Sequence, residues 1–424
     1  MVRRLTALAV LSTLAAAALG AAGARAQGAA PDAGFIYATV AWPDGEEKTG
    51  FLRWEDEEAA WDDLFHSGQR ELPWLEHADQ DQLRAERRNR YYRDNGLFGR
   101  IMFALNEDRK DPVTWRIFLV RMGDIRSIEI HKGKDDFVVT ADGSRHEVGG
   151  YANDAGSDLL LYTGDGEPES IEWNDLASIT FEQAPPGLVP YAGRLYGDLE
   201  WTGGVFTGFI QWDKTECLTI DVLDGEDPDG RDHEVPMGDI AAIARIDGSS
   251  CRVDLRNGES LVLSGSNDVN RENRGIVVEV PGTGRVSVPW HRFVRLTFSE
   301  AAGSGPGRGD RRAADPIRGA IRLADGESLE GRLVLDLDKA WGWNFFSGTC
   351  EGLDYDIPLP VIRSLEPRDD SCVVTLASGL VLELSDSTES GQENAGSLVF
   401  APGGGAPRYV SWGDTRRVDL QWDQ

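Results

Sequence analysis

The chain has few basic residues relative to acidic ones. Lysine and arginine number 43 against 72 aspartates and glutamates, which gives a formal net charge of −29 over 424 residues. Repulsion from phosphate groups makes nucleic acid and anionic membranes poor partners, so neither is expected. After residue 26 the sequence has no run approaching the roughly 20 apolar residues that span a bilayer, and no membrane-spanning segment is predicted.

The sequence also lacks the common catalytic motifs. Its six histidines occupy no repeated position and show no metal-ligand spacing. It contains neither a Gly-x-Ser-x-Gly elbow nor a phosphate-binding loop. We therefore expect a non-catalytic protein. A hydrolase whose site is assembled across repeats is the remaining enzymatic alternative.

Cysteine is scarce, and no asparagine lies in an Asn-x-Ser/Thr sequon. The four cysteines are Cys217, Cys251, Cys350 and Cys372. Export would permit the disulfides Cys217–Cys251 and Cys350–Cys372. Isolated buried thiols are an equal alternative, because four cysteines allow three pairings and spacing does not choose among them.

The N-terminal segment has the three parts of a secretory signal peptide. Arg3 and Arg4 are basic, residues 5–19 are apolar, and Ala24-Arg25-Ala26 is a small-x-small cleavage site. We expect cleavage near Ala26 and export to the periplasm or the cell exterior. The alanine-rich signal and the lack of sequons favour a bacterial envelope.

A repeated ending is the main positive feature of the chain. An apolar residue is followed by further apolar residues, usually at +3, +6 and +8, and this spacing predicts a tight helical turn and then a strand. The six endings begin at Met122, Trp173, Met237, Trp290, Leu359 and Trp412. A fixed long period of this kind is typical of a repeat architecture.

Proline- and glycine-rich segments divide the chain into three long repeats of two halves each. The predicted organisation is a signal peptide (1–26), an N-terminal linker (27–34), β-module 1 (35–183), a linker (184–190), β-module 2 (191–299), a flexible linker (300–315) and β-module 3 (316–424).

Each half-repeat reads as strand, hairpin, strand, turn and strand. Apolar residues alternate with polar ones, and Asp142-Gly143 and Asn257-Gly258 are strong hairpin signals. This order resembles that of Sm-like and SH3-like small β-barrels. The resemblance implies an all-β fold of three tandem modules, each made of two small barrels, and it implies no ligand. A six-bladed β-propeller is the alternative.

The first module carries an insertion, at about residues 67–112, that the other two lack. Pro73 and Gly96 bound a predicted helix. Its basic cluster is unusual in so acidic a chain, and arginine pairs well with carboxylates and phosphates. The predicted partner-binding contacts are Arg84, Arg87, Arg88 and Arg93. The alternative is that this helix packs on its own acidic modules.

Tryptophan recurs at matched positions. Trp54 and Trp212 match in the first halves, and Trp173, Trp290 and Trp412 match in the second halves. Residues that recur at one position of every repeat are normally core side chains, so we expect structural roles. Exposed tryptophans would instead favour glycan binding.

Acidic, asparagine-rich loops offer oxygen ligands for calcium, although Arg271 and Arg274 would oppose a cation. The candidate ligands are Asp268, Glu272, Asp386 and Glu389. Solvated turns are the simpler interpretation, and no other cofactor is expected.

Together these features predict an exported, all-β binding or scaffolding module of the cell envelope, with an envelope protein or a glycan as partner. A carbohydrate-binding protein and a calcium-stabilised envelope protein are the alternatives.

Overall fold

The computed structural model describes residues 34–55, 57–69, 72–79, 81, 116–132, 136–149, 154–164, 167–303, 305–309 and 312–422. Over these ranges the protein is all-β, as predicted, with thirty strands that pair antiparallel. The strands fall into three sets of ten, named here the first, second and third sets. Short 3-10 turns lie between some of the strands.

The first set comprises β1 (Tyr37–Ala41), β2 (Glu47–Trp54), β3 (Leu64–Gln69), β4 (Arg116–Arg121), β5 (Ile125–Glu129), β6 (Asp136–Thr140), β7 (Arg145–Val148), β8 (Leu159–Tyr162), β9 (Glu169–Ile171) and β10 (Ser178–Phe181). The second set comprises β11 (Tyr196–Trp201), β12 (Gly204–Gln211), β13 (Val222–Glu226), β14 (Asp232–Pro236), β15 (Ile240–Arg245), β16 (Ser250–Leu255), β17 (Ser260–Ser264), β18 (Ile276–Val280), β19 (Gly284–Val288) and β20 (Phe293–Phe298).

The third set comprises β21 (Arg318–Leu323), β22 (Ser328–Leu335), β23 (Phe345–Cys350), β24 (Leu353–Pro358), β25 (Ile362–Pro367), β26 (Ser371–Leu376), β27 (Val381–Ser385), β28 (Ser397–Phe400), β29 (Arg408–Val410) and β30 (Thr415–Gln421). The 3-10 turns are Leu75–His77, Met122–Asp124, Trp173–Asp175, Met237–Asp239, Asn267–Val269 and Leu359–Val361.

The strands follow the period-two alternation of the sequence, because successive side chains of a strand point to opposite faces of the sheet. In β11, for example, buried and accessible side chains alternate along Tyr196–Trp201. Glycine is required where strands cross closely. A Cβ at Gly208 would lie 2.0 Å from the carbonyl oxygen of Glu279 on the paired strand β18. Gly50 and Gly331 occupy the same place in the other two sets, with similarly close carbonyls.

Strand pairing crosses between the two halves of each repeat. In the second set the order is β14–β13–β17–β16–β15–β20–β11–β12–β18–β19, so first-half strand β12 pairs with second-half strand β18. The third set repeats this order with the corresponding strands. The first set shares its central part, β7–β6–β5–β10–β1–β2–β8–β9, while β3 and β4 form a separate pair.

Strand β19 pairs with β24, which joins the second and third sets into one 20-stranded sheet. The propeller alternative does not fit, because a propeller consists of four-stranded blades, whereas the described strands form sheets of eight, twenty and two strands. Within the described ranges no closed barrel is formed.

The predicted insertion helix falls mainly outside the described residues. Its described start is the three-residue 3-10 turn Leu75–His77, beside Trp74, whose ring packs edge-on against Phe400 of the third set at 5.6 Å. Leu72 is buried in the same apolar cluster. The beginning of the insertion therefore contributes to the contact between the first and third sets.

Candidate functional site

The predicted partner-binding arginines, Arg84, Arg87, Arg88 and Arg93, lie outside the described residues. The five matched tryptophans, by contrast, are all buried. The indole N–H of Trp54 donates to the backbone carbonyl of Asp154 at 2.9 Å, and that of Trp212 donates to the carbonyl of Asp268 at 3.0 Å. These side chains are part of the core and offer no exposed face on which a sugar could stack.

The four candidate calcium ligands lie in two different sets. Asp268 uses its carboxylate to accept the backbone N–H of Asp224 at 2.8 Å, and Glu389 accepts that of Ser347 at 2.6 Å. Within the described part of the chain, none of the four belongs to a group of three side chains spaced to hold a metal ion.

One such group is present elsewhere, and it consists of Glu58, His66 and Asp154. Glu58 follows the end of β2 and pairs with Trp54 through an isolated β-bridge. His66 lies on β3, and Asp154 precedes β8. The Asp154 carboxylate accepts the backbone N–H of His66, so main-chain contacts fix the position of all three residues.

The three side chains each bring a ligand atom within 4.8 Å of the other two. The His66 Nδ1 atom lies 3.6 Å from Asp154 Oδ2. Glu58 is only 3% exposed, whereas the His66 side chain is 38% exposed and opens the group to solvent. Burial, followed by the nearby carboxylates of Asp154, Asp63 and Glu57, raises the pKa of Glu58 well above its ordinary value.

The other two sets carry corresponding residues. Glu216 and Lys339 form the same β-bridge as Glu58, with Trp212 and Leu335 respectively. In the second set Glu216 faces Asp268, and burial together with Asp268 raises its pKa to about 8. In the third set the Lys339 ammonium lies 3.0 Å from Glu389, which replaces the acid–acid arrangement by an ion pair.

Buried ion pairs join the first set to its neighbours. Arg53 pairs with Asp221 at 2.7 Å, and Arg194, just before β11, pairs with Asp62 at 2.8 Å. Each of these pairs connects the first and second sets. Arg116 of β4 pairs with Asp336 of the third set at 3.2 Å.

A groove of about 850 Å³ lies between the first and second sets. Tyr162 and Tyr191 stack along it, with ring centroids 3.5 Å apart and planes at 4°. Leu188, Val189 and Ile220 line it and are exposed, Val189 to 80%. It is a groove of mixed polarity that carries exposed apolar side chains and is bounded by residues of two sets.

Comparison of the chain with protein-family models, with curated proteins and with solved structures finds no match. In the ranges that the structure describes, no helix is long and apolar enough to cross a membrane.

Sequence reasoning missed the Glu58–His66–Asp154 group because spacing along the chain does not reveal it. His66 and Asp154 are 88 residues apart. The sequence nevertheless contained a usable signal. When the three repeats are aligned on Trp54, Trp212 and Leu335, Lys339 of the third repeat occupies the position that is glutamate (Glu58 and Glu216) in the first two.

Proposed function

We propose that this protein is an exported, non-catalytic β-repeat protein that acts as a binding or scaffolding module in the cell envelope. The observation that supports this proposal best is the use of buried charge at the contacts between sets. Three ion pairs with little exposed side-chain surface connect the first set to the other two. Strand pairing between β19 and β24 connects those two to each other.

Buried ion pairs favour one arrangement of their surroundings. Burial costs each charge roughly several kcal/mol of hydration free energy. Only a correctly placed partner of opposite charge offsets that cost. Any other arrangement of the sets would leave Arg53, Arg116 and Arg194 buried without their carboxylates or would expose the whole contact. A chain built this way holds its outer surfaces at fixed spacing, which is what a scaffold requires.

The groove between the first and second sets is the binding surface that we favour on the described residues. Exposed apolar patches rimmed by polar groups mark interaction sites more often than plain surface. Val189, Leu188 and Ile220 supply the apolar area, and the stacked Tyr162–Tyr191 pair supplies a rigid wall. The partner chemistry that fits is an apolar segment of an envelope protein.

The small-barrel interpretation belongs to the same proposal. Strands β20–β11–β12–β18–β19 form one five-stranded series, and β15–β16–β17–β13–β14 form another with the same cyclic order of strands. In this order the series resemble two SH3-like units that exchange strands within each set. A high-resolution experimental structure in which neither series curves toward closure would contradict this interpretation.

The functional test is crosslinking in envelope extract with the wild-type mature protein and three variants. Val189→Asp places a charge in the groove, and Val205→Asp is the control because Val205 is also exposed but lies outside the groove. The third variant replaces Arg84, Arg87, Arg88 and Arg93 with glutamine. Substitution is preferable to deleting 73–95, since Trp74 packs on the third set.

We expect one partner that crosslinks to the wild type and the Val205→Asp form but is lost from the Val189→Asp form. If only the arginine variant loses the partner, the binding site lies in the insertion and not in the groove. Equal recovery of the same proteins by every form, or of none, would contradict the groove as a binding surface.

A further inference from the structure

We propose that Glu58, His66 and Asp154 form a binding site for one divalent transition-metal ion of the zinc class. The site lies beside the first set's β3 strand, apart from the groove, and does not depend on the proposed function. The ion would neutralise two buried carboxylates and tie the turn after β2 to β3 and to the segment before β8.

The donor set favours zinc over calcium. Calcium takes six to eight oxygen ligands, whereas zinc binds imidazole and carboxylate together and, in sites that keep one position open, takes three protein ligands and a water. His66 supplies the imidazole and is the accessible member of the group, so water can complete the shell from the solvent side. Tetrahedral zinc holds its ligand atoms roughly 3.4 Å apart. Binding would therefore draw together atoms that now lie within 4.8 Å.

Glu58 is the strongest single indication of a missing positive charge. Its side chain is almost fully buried, and the carboxylates of Asp154, Asp63 and Glu57 act on it more strongly than the positive charge of Arg285. A buried carboxylate must either be protonated or meet a cation, because an uncompensated charge is costly away from water. The geometry places it beside Asp154 and His66, both of which can ligate a metal.

The third set shows how the same fold supplies that charge internally. At the position of Glu58 it has Lys339, whose buried ammonium lies 3.0 Å from both Glu389 and Asp338. Although burial opposes it, Asp338 and Glu389 raise the pKa of Lys339. Glu389 accepts the amide of Ser347 just as Asp154 accepts the amide of His66. The third set thus places a cation where the first set places a second acid.

The second set provides an internal comparison. Glu216 and Asp268 correspond to Glu58 and Asp154, but Asp224 stands at the position of His66 and its side chain is exposed. This set therefore lacks the third ligand, and in the described residues it forms no metal-spaced group. We expect Glu216 to remain protonated at neutral pH, with no metal bound.

Other charges around Glu58 do not reverse this conclusion. Asp63 and Glu57 add negative charge, and Arg285 adds positive charge. The Arg285 guanidinium is engaged by the side-chain oxygen of Gln211 at 2.5 Å. Glu57 is paired with Arg274 at 3.2 Å, so Glu58, Asp154 and Asp63 face the single charge of Arg285 and the surroundings remain net negative.

The test is a calorimetric titration of the mature, untagged, chelator-treated protein with zinc in excess magnesium, paired with thermal melts. We expect one zinc per chain and a Tm several degrees higher with zinc, since a ligand that binds only the folded state stabilises it. Glu58→Gln and His66→Gln should each weaken zinc binding by at least roughly 10–100-fold. Changing a residue that only hydrogen-bonds to a metal ligand already causes a loss of that size, and these two residues are ligands themselves. Glu216→Gln is the matched control and should bind zinc like the wild type.

Glu58→Lys copies the third set and tests the charge argument directly. It should abolish zinc binding yet melt near the temperature of the zinc-loaded wild type, because the introduced ammonium would pair with Asp154. If a change at the buried Glu58 prevents folding, His66→Gln still tests the proposal, because His66 is partly exposed and its substitution should not disturb the core. The proposal is overturned if the wild type binds no zinc, or if zinc affinity is unchanged in the His66→Gln variant.

Discussion

The guanidinium of Arg53 donates two parallel hydrogen bonds to the carboxylate of Asp221, at 2.7 and 3.0 Å, across the contact between the first and second sets. The same carboxylate accepts the backbone N–H groups of Cys217 and Leu218, each at 2.8 Å. One aspartate therefore fixes a turn of its own set and the arginine of its neighbour. Local folding of the second set and docking of the first are linked through this group.

Removing the arginine should be far more damaging than removing a surface cation. Arg53→Met leaves Asp221 buried beside an apolar side chain, and breaking a buried pair in this way costs about 3–5 kcal/mol. The exposed pair of Arg408 and Glu327 provides the control, since solvent screens this pair and Arg408→Met should cost far less than Arg53→Met. Urea denaturation measures both values. Equal losses would show that the Arg53 pair has no special structural role.

Gly208 should tolerate no side chain. A Cβ would lie 2.0 Å from the Glu279 carbonyl oxygen, so Gly208→Ala must push β12 away from β18. We expect a loss of roughly 2–4 kcal/mol, in the upper range for single substitutions. Gly248→Ala is the control because a methyl group added there would have no atom within 4 Å. If Gly208→Ala melts within a degree of Gly248→Ala, the close crossing is not as described.

Glu216 should make the protein less stable at alkaline pH than at acidic pH. Burial and Asp268 raise its pKa from 4.5 to about 8 in the folded state. Over that interval the unfolded chain loses the proton while the folded chain retains it, so rising pH favours unfolding. Glu216→Gln should remove this loss and be more stable than the wild type at pH 9 by roughly 1–3 kcal/mol.

At pH 4 the two proteins should be nearly equal in stability, because Glu216 is then largely protonated in both states. Glu200→Gln, at an exposed position on β11, is the control and should follow the wild type throughout. A wild type and Glu216→Gln variant whose stability difference does not change with pH would refute the raised pKa.

All four cysteines should be thiols. The structure holds them free, with Cys350 the most accessible and Cys217, Cys251 and Cys372 buried. Burial raises the pKa of Cys251 and of Cys372 to about 12, so neither reacts readily in the native protein. Thiol titration should label Cys350 first and all four after denaturation without reductant. Fewer than four reactive thiols in denaturant would establish a disulfide.

Local patterns predicted the local structure well. Alternation and hairpin glycines gave antiparallel strands, as at Asn257-Gly258, where Gly258 adopts a φ of 91° between β16 and β17. Matched tryptophans such as Trp54 and Trp212 are buried as expected. These features depend on neighbours close in sequence, where a period of two or a turn residue carries enough information.

Long-range pairing could not be predicted in the same way. Strand β12 pairs with β11 of its own half on one side and with β18 of the other half on the second side. Nothing in the sequence of β12 indicates this second partner, because the strands of both halves are apolar and alternate alike. The Glu58–His66–Asp154 group depends on that tertiary arrangement. The one indication of this group in the sequence was the difference between Glu58 and Lys339 at the same position of two repeats.

Small-angle X-ray scattering of the mature protein is the most direct test of the claim that buried ion pairs hold the three sets as one scaffold. A compact body of this length has a radius of gyration near roughly 21 Å. We expect the wild type to lie close to this value, and Arg53→Met combined with Arg116→Met to expand. A wild-type value above roughly 30 Å, with the scattering of flexibly linked bodies, would contradict the account.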